Sequence, residues 1–279
     1  MIDLHTHSYF SDGSLSPEEI VKTALKIGLY AVALTDHDTV DGIERFLKTP
    51  GEIHKVAGVE ISIAYDKGTF HLLGLFIDHK HDKLKNTLDM LKKYRKERNI
   101  IILNKLSNMS GEKINEEDIY SERKGEISRP HIAHYLISKG IVKDIYEAFD
   151  KYLGIGKILY EPKKRLDYKT GLKIIKEAGG ITILAHPHTL NLGETARKTF
   201  LLELLDSGLE GIEAYTSTQN KLDTNFYLQF AKNNNVLISS GTDFHGEIKP
   251  GINLGTGKGK SHFDNLIYDK MTDYLKYRK

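Results

Sequence analysis

Cysteine is absent from the 279 residues, which excludes disulfides, thiolate zinc fingers, iron–sulfur clusters and a cysteine nucleophile together. Long apolar runs are missing too, and no stretch approaches the ~18 uninterrupted residues of a membrane-spanning helix. Asp3, His5 and His7 stand where a secretory signal would place an apolar segment, so the expectation is a soluble, cytoplasmic protein. A charge excess of either sign is also lacking: 40 Lys+Arg against 38 Asp+Glu leave a net +2. That gives no support to a nucleic-acid coat or a polybasic membrane anchor, so any polyanion is bound locally and no stable nucleic-acid partner is expected. Low-complexity tracts, fixed-period repeats and Pro/Ser-rich linkers do not occur, which favours one domain with an insertion over two separable domains. What is present is 39% hydrophobic content, enough for a sizeable core, and 13 histidines. A metal or catalytic site here must therefore use imidazole and oxygen.

Short apolar segments at 2–4, 31–34, 56–59, 69–77, 181–185, 211–214 and 236–239 read as buried strands and alternate with helical patterns, as in an α/β protein. The helix expected over 17–28 has Ser16 as its cap, Pro17 and two glutamates in its first turn and Gly28 at its end. Further helices are expected at 168–178, 194–207, 223–234 and 263–274. The alternation fails over 82–162, where helical stretches (82–109, 116–122, 130–139, 145–152) follow one another without a strand. That block reads as a helical insertion, with 1–81 and 163–279 forming the main domain.

The polar clusters repeatedly follow strand ends: His5 and His7, then Asp36-His37-Asp38, Glu60, His186 and His188, and Asp243 with His245. In βα proteins the carboxyl ends of parallel strands open on one face, so these groups should converge. His-x-His in extended backbone puts both rings on one side, where one ion can be gripped by both. Glu60 can bridge, offering one oxygen to each of two cations. Asp12, in Ser11-Asp12-Gly13, suits either an Asx-turn or a ligand. His71, among apolar residues, suits either a satisfied core histidine or a ligand. His54, His79, His81 and His262 have no supporting partner in sequence and read as surface residues.

Taken in order, Asp3-Leu4-His5-Thr6-His7-Ser8, Ser11-Asp12-Gly13, Thr35-Asp36-His37-Asp38-Thr39, Gly58-Val59-Glu60, His71, Ala185-His186-Pro187 and Gly241-Thr242-Asp243-Phe244-His245 resemble the PHP (polymerase and histidinol phosphatase) superfamily of metal-dependent phosphoesterases. The resemblance spans nearly the whole chain. It implies a distorted (β/α)7, TIM-like barrel with two or three divalent metal ions at the C-terminal face of the strands. By position, it implies that His5, His7, Glu60 and Asp243 hold one ion, that Glu60 bridges to a second held by His71 and His186, and that Asp12, His37 and His245 hold a third. Histidine–carboxylate ligation suits Mn, Fe or Zn better than Mg or Ca, and the resemblance puts manganese first.

The insertion contains Ser128-Arg129-Pro130-His131-Ile132-Ala133, similar to a stretch of the nucleoside 3′,5′-bisphosphate phosphatase and RNase AM (TrpH-like) group. This implies that Arg129 and His131 reach substrate phosphate. A guanidinium forks onto phosphate, and a helix opened by Pro130 favours an anion at its N-terminus; a helix start with a solvated arginine is the alternative. The run Lys92-Lys93-Tyr94-Arg95-Lys96-Glu97-Arg98 reads as a solvated helix face that could extend a phosphate-binding rim. His188 is not a ligand in the resemblance, and is expected to contact substrate or donate a proton. The activity implied is hydrolysis of a nucleoside 3′,5′-bisphosphate such as pAp to the 5′-monophosphate, through a hydroxide bridging two ions. The alternatives are a 5′-3′ exoribonuclease on short 5′-phosphorylated RNA, a cyclic-phosphate phosphodiesterase or histidinol-phosphate phosphatase, and a non-catalytic nucleotide sensor.

Overall fold

The computed structural model describes residues 1–119, 127–259 and 263–278. Seven strands run in sequence order round a sheet: β1 (Ile2–Asp3), β2 (Ala31–Leu34), β3 (His54–Ser62), β4 (His71–Leu75), β5 (Ile181–Leu184), β6 (Gly211–Thr216) and β7 (Leu237–Gly241). The chain following β1 meets that following β7, with Leu4 N–H donating to Ser240 O (3.0 Å) and His7 N–H to Phe244 O (2.9 Å), so the sheet nearly closes into a barrel. All neighbours are parallel except β4, which is antiparallel to both β3 and β5. The link from Ser62 to His71 is too short for the crossover a parallel partner needs, and a reversal follows. This is the distortion of the (β/α)7 barrel.

Side chains alternate across each strand. Register pairs Glu60 with Leu73 and Ser62 with His71, so these share the inner face with the core formed by Ile2, Leu4, Ala31, Ala33, Val56, Leu73, Leu75, Ile181 and Ile183. The apolar residues fill the lower barrel; polar ones take over at the rim. Around the strands lie α1 (Pro17–Lys26), α2 (Ile43–Lys48), α7 (Tyr168–Glu177), α8 (Glu194–Asp206), α9 (Lys221–Asn234) and α10 (Asn265–Tyr277). Ser16 and Glu19 form a reciprocal cap on α1, as the motif predicts. Met271 of α10 packs with Phe263 on the barrel core.

The chain divides into two compact units, Met1–Leu88 with Arg165–Lys279, and Asp89–Lys164. Helix α3 (Asp82–Ser110) precedes α4 (Glu116–Ile119), α5 (Arg129–Ser138) and α6 (Ile145–Ala148), which continues as a π turn to Leu153. The second unit has its own core, including Ile102, Leu106, Ile132, Leu136, Leu153 and Leu159.

Several sequence expectations need correction. Strand β3 extends to Ser62, so Glu60 lies inside a strand rather than after it; α2 was not expected; and the helix expected at 145–152 changes to π geometry after Ala148. Residues 120–122 of the expected 116–122 helix, and His262, lie outside the described residues.

Candidate metal centre

Three buried aspartates shape the rim before any ligand is placed. Asp3 accepts from Thr242 N–H (2.9 Å), Thr242 Oγ1 (2.6 Å) and Gly255 N–H (2.8 Å). Asp36 accepts from Ser8 N–H (2.8 Å), Ser8 Oγ (2.6 Å) and Ser11 Oγ (2.6 Å). Asp38 accepts from Ser62 N–H (2.8 Å) and Ser62 Oγ (3.1 Å). Each latches one strand exit to a neighbour, and charge-assisted bonds make strong latches. Burial pushes Asp3 up to about 6 against the pull of these bonds. Gly241 completes the junction: a Cβ there would stand 2.3 Å from His5 Cβ, so no larger residue lets β7 approach β1.

Glu60, fully buried, divides its oxygens. Oε2 lies 3.3 Å from His5 Nε2, 3.2 Å from His7 Nε2 and 2.9 Å from His37 Nδ1. Oε1 lies 2.8 Å from His71 Nδ1 and 2.9 Å from His186 Nε2. His71 reaches this rim because β4 is reversed: the first residue of an antiparallel strand lies level with the last residues of its parallel neighbours. Asp243 Oδ1 faces His7 Nε2 (3.4 Å), His5 Nε2 (3.6 Å) and His245 Nδ1 (3.4 Å). Asp12 Oδ1 faces His245 Nε2 (3.2 Å), His37 Nε2 (3.8 Å) and His7 Nδ1 (3.9 Å).

All nine side chains of the expected ligand set are thus brought together. Donor atoms of eight of them form three groups within 4.8 Å: His5, His7, Glu60 and Asp243; His37, Glu60 and His71; and His7, Asp12, His37 and His245. Relative to the expected grouping, His37 joins Glu60 and His71, and His7 joins the Asp12 group; His186 touches Glu60 and lies 3.2 Å from His71 Nδ1.

Five of these atoms, His5 Nε2, His7 Nε2, Asp12 Oδ1, Glu60 Oε2 and His245 Nε2, are buried with no hydrogen-bond partner. Orphaned polar atoms in a protein interior are costly. Here they face one another, at separations close to the roughly 3–3.4 Å expected between donors each about 2.1 Å from a shared ion. The residues therefore fit divalent cations. Outer contacts aim the rings: His5 Nδ1 lies 3.0 Å from Glu213 Oε1 and His245 Nδ1 2.8 Å from the Asp243 carbonyl oxygen. Each Nδ1 is assigned as the donor, which leaves Nε2 unprotonated toward the cluster. His186 (φ +26°) and Asp243 (φ +57°) hold left-handed backbone, strain of the kind that collects at functional sites.

Burial opposes charge at several of these rings. It takes His71 down to about 3 and His245 to about 4. His7 is pushed up to about 9 in spite of burial, by its contacts with Asp243 and Glu60. Burial works against ionised Glu60 and Asp12 too, but the neighbouring imidazoles, His37 foremost, hold both carboxyls well below the usual range.

Other expected site residues make contacts of their own. His188 Nε2 lies 3.0 Å from Thr218 Oγ1, and burial lowers its pKa. Arg129 and His131 belong to the second unit. Arg129 lies over Phe149 (5.5 Å) with Nη1 3.4 Å from Leu153 O, and His131 Nδ1 accepts from Ser128 N–H (3.1 Å), closing the cap of α5. His79, expected to be an unpartnered surface residue, is corrected: it is partly buried and its Nε2 lies 3.1 Å from Glu44 Oε2.

Sequence reasoning missed Glu213, fully buried in β6, which binds His5 and accepts from His186 N–H (2.6 Å). A lone carboxylate within the apolar run Gly211-Ile212-Glu213-Ala214 was the available signal. It also missed Lys249, whose Nζ lies 2.6 Å from Asp243 Oδ2.

The PHP domain family matches residues 3–158. A 5′-3′ exoribonuclease of Haemophilus influenzae is 36% identical over 262 residues, covering 90% of this chain and 93% of that protein. A 3′,5′-nucleoside bisphosphate phosphatase of Chromobacterium violaceum is 30% identical over 265 residues, covering 91% and 90%. Among solved structures, an amidohydrolase from Chromobacterium violaceum with bound sulfate and no metal superposes with a TM-score of 0.85 at 29% identity, covering 98% of this chain and 96% of that one.

Proposed function

The chain belongs to the PHP domain family, and from that premise we propose that it is a metal-dependent phosphoester hydrolase that removes the 3′-phosphate from a nucleoside 3′,5′-bisphosphate. The observation that carries this reading is the set of orphaned donor atoms converging round Glu60, together with relatives that act on nucleotide phosphoesters along nearly their whole length.

His5, His7, Glu60 and Asp243 would hold one ion, Glu60, His71 and His186 a second, and Asp12, His37 and His245 a third. Manganese is the favoured metal, with iron or zinc as alternatives. Bound there, divalent ions supply Lewis acidity and lower the pKa of water toward neutrality. The chain's own work is placement. Glu60 presents its two oxygens to separate sets of histidines, so one buried carboxylate lessens the repulsion between two cations. Glu213 fixes His5 in the ligating tautomer and holds the strained His186 backbone. Asp36 fixes the Ser8–Ser11 turn that delivers Asp12. Arg129 and His131 would bind substrate phosphate, the guanidinium through paired hydrogen bonds. His188, lowered by burial and bound to Thr218, suits a neutral substrate contact better than a proton donor.

The second reading is an exoribonuclease acting from a 5′-phosphorylated end, favoured by the Haemophilus relative. Both substrates place a 5′-phosphate beside a 3′-phosphoester. Elemental analysis of the purified protein, coupled to a panel of pAp, short 5′-phosphorylated RNA, cyclic phosphates and histidinol phosphate, tests the assignment. Faster release of phosphate from pAp than of nucleotide from RNA supports the first reading; the reverse order supports the second.

A further inference from the structure

Resting on that reading, we propose that Lys249 is a substrate-binding residue of the barrel, its ammonium pinning the outer oxygen of Asp243 while donating its other N–H groups to a phosphoryl oxygen. Asp243 turns Oδ1 toward His5, His7 and His245, and Lys249 Nζ takes Oδ2 at 2.6 Å. That contact uses one of three ammonium donors, and 40% of the lysine side chain remains open to solvent. The ammonium is already paired with Asp243, and its remaining N–H groups are donors that a phosphoryl oxygen can take in charge-assisted hydrogen bonds.

The lysine is also held in place. Its segment is tied to the turn after Asp12: Ser14 N–H donates to His245 O (3.0 Å), and Glu247 N–H donates to Ser14 Oγ (2.9 Å). Between them Gly246 has φ +64°, and a Cβ there would stand 2.0 Å from Ser14 Oγ. A lysine serving only solubility needs no such anchorage. His188, the other candidate near the rim, spends its Nε2 on Thr218.

The test uses full-length protein reconstituted with Mn2+, as wild type, Lys249→Met and Lys249→Arg. Manganese per chain is measured by elemental analysis, and affinity for inorganic phosphate by titration calorimetry. The expected result is an unchanged manganese content in both variants. Phosphate should bind about tenfold or more weakly in Lys249→Met, the scale of one lost charge-assisted hydrogen bond, with Lys249→Arg recovering most of the loss. With pAp, KM should rise more than kcat falls. Phosphate affinity equal to wild type in Lys249→Met overturns the proposal. So does manganese loss in that variant, which would make Lys249 a prop for Asp243 alone. Phosphate binding that depends on Lys249 in a protein hydrolysing none of the esters would uphold the contact and sink the hydrolase reading.

Discussion

Glu213→Gln is the most informative single change, because it keeps volume and removes one charge. Glu213 is fully buried and makes two contacts, Oε1 with His5 Nδ1 at 3.0 Å and Oε2 with His186 N–H at 2.6 Å. An amide has one acceptor oxygen. If that oxygen keeps the His186 N–H, the NH2 group faces His5 Nδ1 and forces it to accept, moving the ring proton to Nε2. Nε2 is the atom 3.3 Å from Glu60 Oε2, so the ligating lone pair is lost. If the amide turns over, the buried His186 N–H loses its partner instead. Hydrogen bonds to charged groups contribute about 1.5–3 kcal/mol, and partners of metal-ligating histidines change metal affinity by about 10- to 100-fold. That range corresponds to about 1.4–2.8 kcal/mol at 1.4 kcal/mol per decade. The assay is calorimetric titration of chelator-stripped protein with Mn2+, beside thermal melts with and without metal to separate folding from binding. Metal affinity within twofold of wild type in a folded Glu213→Gln protein would refute the tautomer argument.

Four further outcomes follow from the same geometry. Asp36→Ala removes three hydrogen bonds from Ser8 and Ser11 and should lower stability by about 3 kcal/mol or more in denaturant melts; a loss under 1 kcal/mol would show that the Asp12 turn holds itself. Gly241→Ala places a methyl 2.3 Å from His5 Cβ, and should cost about 1–3 kcal/mol of stability together with metal content; normal manganese content and stability would mean that β1 and β7 separate easily. Contacts with Asp243 and Glu60 push His7 up to about 9 in spite of burial, so below that pH a proton must leave before the ring can ligate. Metal binding should accordingly release protons and tighten as pH rises from 6 to 9, by up to about tenfold per unit for each proton; affinity independent of pH would contradict it. Arg129→Ala should keep its metals and lose mainly substrate affinity, read as a raised KM; equal loss of metal would count against its phosphate role.

The convergence of the nine side chains was legible in sequence because strand exits carry most of them. His5, His7, His37, His186, Asp243 and His245 all follow apolar runs of period-two or buried-strand character, and parallel strands share one exit face. His71 obeyed a different rule. The reversal of β4 depends on the short link after Ser62, so its first residue rather than its last lies at the rim, and pattern alone left it between core and ligand. Glu213 was hidden because it touches its partners from within a strand, where a carboxylate looks like an interruption. Asp36 and Asp38 were visible in Asp36-His37-Asp38, yet their latching of Ser8, Ser11 and Ser62 depends on which loops meet. Lys249 and the His79–Glu44 pair depend on contacts across loops that no local spacing encodes.

The measurement that tests the central claim most directly is phosphate release from pAp by one preparation, stripped with a chelator and then reconstituted with Mn2+, beside Asp243→Ala treated identically. The account predicts no release from stripped protein, release with 5′-AMP as co-product on reconstitution, and neither activity nor full metal content in Asp243→Ala. Release that survives stripping, or an Asp243→Ala protein with wild-type activity and metal content, would contradict it.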